Sequence, residues 1–199
     1  MEKFKNKFRI PSARWQSWDY ANPGMYFLTI CTHNRLHFFG KIKNGEMLLS
    51  EMGQIAYTCW EEIPAHFPNM ELGAFVVMPN HVHGIVIVNE RLEKSVTTGN
   101  VETLHATSLP PNDNQRADAK PKNEFMAAIS PQAGSVSAAM RSYKSAVSRL
   151  IRPIHADFAW QSRFHDHVIR NSAEYKRIEG YILLNPENWE QDKFFNYYP

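Results

Sequence analysis

"MELGAFVVMPNHVHGIVIVNE", residues 70–90, decides how this chain is read. Two runs rich in Val, Ile and Phe flank Pro79-Asn80, so the segment reads as two strands, 70–78 and 81–89, paired through a tight connection. Residues i and i+2 of a strand face the same way. His81 and His83 therefore project together, at a spacing that two ligands of one cation can share. Imidazole is the commonest side-chain metal ligand. Two ligands rarely hold an ion alone, so a third has to come from elsewhere in the fold. The other reading is a pair of partnered core or surface histidines, and H-x-H by itself does not separate the two.

Working outward, "MYFLTICTHN" (25–34) has the β-branched and aromatic content of a strand, and "HFFGKIKNGEMLLS" (37–50) carries Asn44-Gly45, a strong hairpin signal. Together they predict a small antiparallel unit. Met52, Ile55, Ala56, Cys59, Trp60 and Ile63 recur at three- and four-residue steps, which predicts an amphipathic helix over 51–66, N-capped by Ser50 and ending near Pro64. From about 90 to 134 the chain turns to Asn, Thr, Pro, Asp, Lys and Ala, and reads as a mobile insertion rather than a second domain. Val136, Met140, Tyr143, Val147 and Ile151 then define another helix, with Arg141, Lys144, Arg149 and Arg152 elsewhere on its surface. That basic surface suits a nucleic-acid backbone or an ordinary solvated face. "FAWQSRFHDHVI" (158–169) looks extended. Asn171 followed by Glu174 starts a last helix, and Asn185-Pro186 stops it.

Composition narrows the classes. The 199 residues fit one domain with an insertion, net charge is only +2, and aromatic residues make up 13%. Cys31 and Cys59 are too few for a disulfide framework or thiolate cage. No apolar run reaches the roughly 18 residues of a membrane span, and no signal peptide is evident, so a soluble cytoplasmic protein is expected. There is no H-E-x-x-H, C-x-x-C, Walker loop or G-x-G-x-x-G. Residues 1–24 alternate Lys3, Lys5, Lys7, Arg9 and Arg14 with Phe4, Phe8, Trp15 and Trp18. This basic aromatic arm suits phosphate contact and stacking, or a tail whose rings dock on the body.

In the last helix, Tyr181 and Asn185 lie four residues apart and share a face. A tyrosine hydroxyl is a possible nucleophile, and a carboxamide oxygen suits a hard cation; a core tyrosine and a capping asparagine would look the same. Tyr143 lies on the basic helix without Asn or Gln four residues on, and reads as core or DNA-contacting. His165 and His167 repeat the i, i+2 pattern and suit structural or substrate-positioning roles. Trp160, Arg163 and Arg170 are candidates for base stacking and phosphate contact.

In this order, "MPNHVHGIVIV", "WQSRFHDHVIRN" and "RIEGYILLNPENW" resemble the Y1 (HUH) transposase family: the IS200/IS605-like transposases and the tyrosine transposases associated with repetitive extragenic palindromes (REPs). The resemblance covers about Tyr26 to Trp189, leaving out the insertion. It implies an α+β fold, a ferredoxin- or RRM-like central antiparallel sheet flanked by helices. It implies Tyr181 as catalytic nucleophile, a divalent cation (Mg²⁺ or Mn²⁺) on His81, His83 and Asn185, and cleavage and rejoining of single-stranded DNA through a 5′-phosphotyrosine. The DNA would be hairpin-forming and the protein a homodimer, with DNA contacts expected at Arg141, Lys144, Arg149, Trp160, Arg163 and Arg170. Asn185, where the insertion-sequence enzymes tend to carry Gln, points to the palindrome-associated branch. Rival readings are a hairpin-binding relative that does not cut and a two-histidine metal hydrolase without a covalent step.

Overall fold

A computed structural model describes residues 20–90 and 131–195, together with the backbone of two short strands near the start, β1 (Lys3–Phe4) and β2 (Lys7–Phe8), which pair antiparallel. The other side chains of the basic arm, and nearly all of the proposed insertion, lie outside the described residues. The main elements follow as β3 (Gly24–Cys31), β4 (Gly40–Lys43), β5 (Glu46–Leu49), α1 (Glu51–Glu61), α2 (Ile63–His66), β6 (Met70–Met78), β7 (His81–Val88), α3 (Val136–Ile151), β8 (His165–Ile169) and α4 (Ser172–Leu183).

β6, β7, β3 and β8 form one sheet in that spatial order, every neighbouring pair antiparallel. In chain order β3, β6, β7 and β8 are the first to fourth strands, so the sheet runs second, third, first, fourth. Two β-α-β passages that each skip one strand produce this order, which is the ferredoxin- or RRM-like arrangement expected from the sequence. The 25–34 strand does not unite with the 37–50 hairpin. β3 instead takes a central place between β7 and β8, while β4 and β5 form a separate ribbon. Burial explains the exchange: Tyr26, Leu28 and Ile30 are fully buried only with partners on both sides. The Asn44-Gly45 signal holds, both residues taking positive φ (53° and 76°) in the tight ribbon turn.

Strand alternation sorts the sheet into two faces. Tyr26, Leu28 and Ile30 of β3 and Val82, Val86 and Val88 of β7 pack with α1 and α3 in the main core, around Trp60 and Tyr143. On the other face, Ile85 and Ile169 meet Ile178 and Ile182 of α4. His81 and His83 share the phase of Ile85, so they face α4. The helix starts follow local chemistry. Ser50 Oγ accepts from Gly53 N at 3.1 Å, Ser135 Oγ from Ala138 N at 3.2 Å, and Asn171 Oδ1 from Glu174 N at 2.9 Å. The predicted 51–66 helix breaks after Glu61, with Pro64 in the first turn of the short α2.

Gly84, directly after the histidines, carries a steric requirement. A Cβ there would stand 2.3 Å from Cζ2 of the fully buried Trp60 and 3.0 Å from Cβ of Phe75. The bare backbone lets the indole lie flat on β7, so the strand bearing the histidines is pressed against the main core. Gly84→Ala should lower stability by about 1–3 kcal/mol, the usual cost of overpacking. Urea unfolding checks it: the midpoint falls and the slope stays constant, whereas an unchanged midpoint contradicts this packing.

Candidate functional site

Tyr181 and Asn185 leave the C-terminal end of α4 directly above the start of β7. The Tyr181 hydroxyl lies 3.2 Å from His83 Nε2 and 3.2 Å from Asp192 Oδ2. Asn185 Nδ2 donates to the same Asp192 oxygen at 2.9 Å. One ligand atom from each of His81, His83 and Asp192 falls within 4.8 Å of the others. Histidines and tyrosine helix thus meet within a single chain.

Asn80 governs His81. Its Nδ2 faces two backbone carbonyls, Arg35 O at 3.2 Å and Phe194 O at 2.9 Å, which can only accept. Its Oδ1 must then face His81 Nδ1, 2.8 Å away. A carbonyl oxygen only accepts, so Nδ1 carries the proton and Nε2 is left as a lone pair. That lone pair is fully buried and finds no hydrogen-bond partner among the described residues. Asn185 Oδ1 is in the same position: its amide nitrogen is held by Asp192, and its oxygen is buried without a partner among the described residues. Leaving a buried acceptor unpaired costs about 1–3 kcal/mol. Two such atoms beside a carboxylate make a donor set suited to a divalent cation. Thr29 Oγ1 sits 2.9 Å from His83 Nδ1 and serves either tautomer, so it orients the second ring without deciding its protonation.

Electrostatics agrees with that donor set. Burial, then the neighbouring His83, holds His81 well below the usual imidazole range. Burial lowers His83 to about 3, against a partial opposing pull from Asp192. Both rings are neutral at physiological pH, the form that binds metal. Burial, then the Asp192 charge, pushes the Tyr181 phenol up to about 12. Alone, this hydroxyl keeps its proton.

The segment after α4 closes one side of the site. A 3-10 turn at Trp189–Gln191 delivers Asp192, whose Oδ1 accepts from Phe194 N at 2.6 Å. The Phe194 ring lies 4.7 Å from His81 and 5.8 Å from His83. Sequence reasoning missed Asp192, Asn80 and Thr29. Asn80 and Thr29 had a usable signal, the former adjacent to His81 and the latter on a strand of matching phase, but Asp192 belongs to no recognisable spacing.

The expected DNA-contact residues are not gathered here. Arg141, Lys144 and Arg149 lie on α3, which packs on the opposite face of the sheet. The Lys144 ammonium donates to Gln161 O, and burial lowers its pKa. Trp160 Nε1 donates to Lys144 O at 3.2 Å, its ring packed between Phe39 and Phe158. Both hold the 158–162 segment to α3. Arg163 and Arg170 flank β8. The Tyr143 hydroxyl is buried and donates to Ala56 O at 3.1 Å, so that tyrosine belongs to the core.

The neutral imidazoles make stability pH-dependent. Unfolded histidines take up protons near 6.5, whereas folded His83 resists to about 3. Between those values the unfolded state binds more protons, so stability falls as pH falls. The urea midpoint of metal-free protein should drop between pH 7 and 5, with a shallower drop in a His81→Asn/His83→Asn double variant. Equal slopes contradict the neutral-ring assignment.

No protein-family model matches the chain. An uncharacterized protein of Haemophilus influenzae strain Rd is 34% identical over 185 residues, covering 92% of both chains. Among solved structures, a REP-associated tyrosine transposase bound to a REP hairpin aligns with TM-score 0.51 and 18% identity, over 92% of this chain and 77% of that one. A Deinococcus radiodurans R1 protein assigned as a transposase aligns with TM-score 0.35 and 17% identity, over 86% of this chain and 96% of that one, a likeness too slight to add to the assignment. None of the described helices is long and apolar enough to cross a membrane. The chain belongs to the family of the Haemophilus protein, and its fold is that of the Y1-type, REP-associated tyrosine transposases.

Proposed function

We propose that the chain is a metal-dependent, Y1-type transposase or nuclease that cuts and rejoins single-stranded, hairpin-forming DNA through a 5′-phosphotyrosine. The observation that carries this reading is the Tyr181 hydroxyl, 41% of the residue being exposed, set 3.2 Å from both His83 and Asp192 beside two unpaired buried acceptors. A nucleophile open to substrate on one side and backed by cation ligands on the other suits phosphodiester chemistry. The residues that would hold a divalent ion (Mg²⁺ or Mn²⁺) are His81, His83, Asn185 and, beyond the sequence expectation, Asp192. When bound, that ion would supply Lewis acidity to a phosphate oxygen and offset the Asp192 charge that, after burial, keeps the phenol protonated.

The remaining steps belong to the chain. Tyr181 Oη attacks phosphorus in line, and its proton passes to Asp192, whose Oδ2 lies 3.2 Å away. The P–O3′ bond breaks as the Oη–P bond forms, and the departing 3′ oxygen takes a proton from water. One ester bond replaces another, so a later 3′-hydroxyl can attack the phosphotyrosine, release Tyr181 and join strands without ATP. Asn80 keeps His81 in the ligating tautomer throughout, and Thr29 holds the His83 ring.

Single-stranded hairpins from palindromic repeats flanking the gene, labelled at the 3′ end, provide the test. With Mn²⁺ the label should become covalently attached to protein, because the tyrosine takes the 5′ phosphate of the downstream fragment. Tyr181→Phe and chelation should each abolish the adduct, and Asp192→Asn should slow it by about 10²–10⁴-fold. Binding without adduct identifies a non-cutting hairpin binder, and cleavage surviving Tyr181→Phe identifies a hydrolase; either overturns the reading. Since tyrosine and histidines meet within one chain, mixing Tyr181→Phe with His83→Ala protein should restore nothing.

A further inference from the structure

Beside Tyr181, a groove opens between α4 and β8, lined among others by Phe27, His165, His167, Arg177 and Lys193. Its floor is the half-buried Phe27 of β3. Phe27 pairs with His167 and Thr29 with His165 in the antiparallel register, so both imidazoles stand on the same face as Phe27. The Phe27 ring lies 6.1 Å from the Tyr181 ring, edge-on, and 5.3 Å from the His83 ring. The aromatic floor therefore begins one side chain from the proposed nucleophile.

The walls carry groups of a different kind. Arg177 reaches out from α4 with its side chain 72% exposed, its nearest carboxylate, Glu174, at 3.8 Å. Lys193, in the segment after α4, also lines the groove, its ammonium 4.8 Å above the Phe194 ring. Glu174 is already engaged: it accepts from His167 Nε2 at 2.8 Å and from Arg170 N at 2.8 Å. It thereby fixes the His167 ring and leaves Arg177 and Lys193 as the outward cations. A half-buried aromatic ring in an open groove that two cations also line matches one nucleotide of a single strand: a base over the ring and a phosphate at the rim.

We propose that this groove is the seat of the nucleotide adjacent to the scissile phosphate. Its base stacks on Phe27 between His165 and His167, and its backbone phosphate is held by Arg177 and Lys193. The inference rests on Tyr181 being the nucleophile, and it assigns the direction in which the strand leaves the active site: across β3 toward β8. The basic face of α3, behind the sheet, plays no part in holding this nucleotide.

The test separates the groove from the chemistry by using Tyr181→Phe protein, which cannot form an adduct, and a fluorescent fifteen-residue oligothymidine. Anisotropy should show Phe27→Leu and Arg177→Gln each weakening binding by about 5- to 10-fold, as expected for one stacked base or one phosphate contact. Arg177→Gln should also reduce the salt dependence by roughly one phosphate. Arg152→Gln, just past the C-terminal end of α3, should leave affinity unchanged. Photo-crosslinking of 4-thiothymidine oligonucleotide should label the peptides carrying Phe27 or His165–His167. Unchanged affinity in both groove variants, or an equal loss in Arg152→Gln, overturns the proposal. A groove that binds in the absence of any wild-type adduct would instead count against Tyr181 as nucleophile.

Discussion

Asn80 stands where three parts of the chain meet. Its amide nitrogen bridges the carbonyls of Arg35, in the loop after β3, and Phe194, in the segment after α4; its oxygen accepts a hydrogen bond from Nδ1–H of His81. Because neither carbonyl can donate, the amide has one orientation and His81 has one tautomer. A lone pair is thereby left buried, and Asn185 contributes a second buried oxygen with no partner among the described residues. The ferredoxin-like sheet serves this geometry by placing β7 at its centre, buried on both faces, so that the imidazole pair cannot relax toward water.

The rest of the site follows from that rigidity. Neutral rings, a phenol held protonated and a nearby carboxylate form an arrangement that is incomplete without positive charge. The same burial that depresses the histidines raises Tyr181, so one physical cause prepares the proposed ligands and restrains the proposed nucleophile together. On the proposed function, chemistry is then tied to occupancy by a cation, and the phenol keeps its proton without one.

What could be read from the sequence was local or periodic. The i, i+2 histidines, the i, i+4 Tyr181 and Asn185, the caps at Ser50 and Asn171 and the Asn44-Gly45 turn each express a short-range rule, and each lies where that rule puts it. Strand pairing was another matter: nothing in residues 25–50 says that β3 prefers β7 and β8 to its neighbouring hairpin, because the advantage comes from burial against distant chain. A charged face could not reveal that Lys144 donates to a backbone carbonyl, nor an aromatic that Trp160 is occupied in packing. Asp192 escaped notice for the plainest reason. It is one acid after a short turn, brought to the histidines only by tertiary structure.

The most direct measurement is electron-nuclear double resonance of the Mn²⁺-loaded protein with ¹⁵N-labelled histidine, compared across single substitutions. Two imidazole nitrogens should couple to one ion. His81→Ala or His83→Ala should each remove one coupling, while Asn185→Ala and Asp192→Ala should weaken affinity and leave both nitrogens visible. An ion that shows no histidine coupling, or binding indifferent to all four substitutions, would contradict the shared cation on which the account rests.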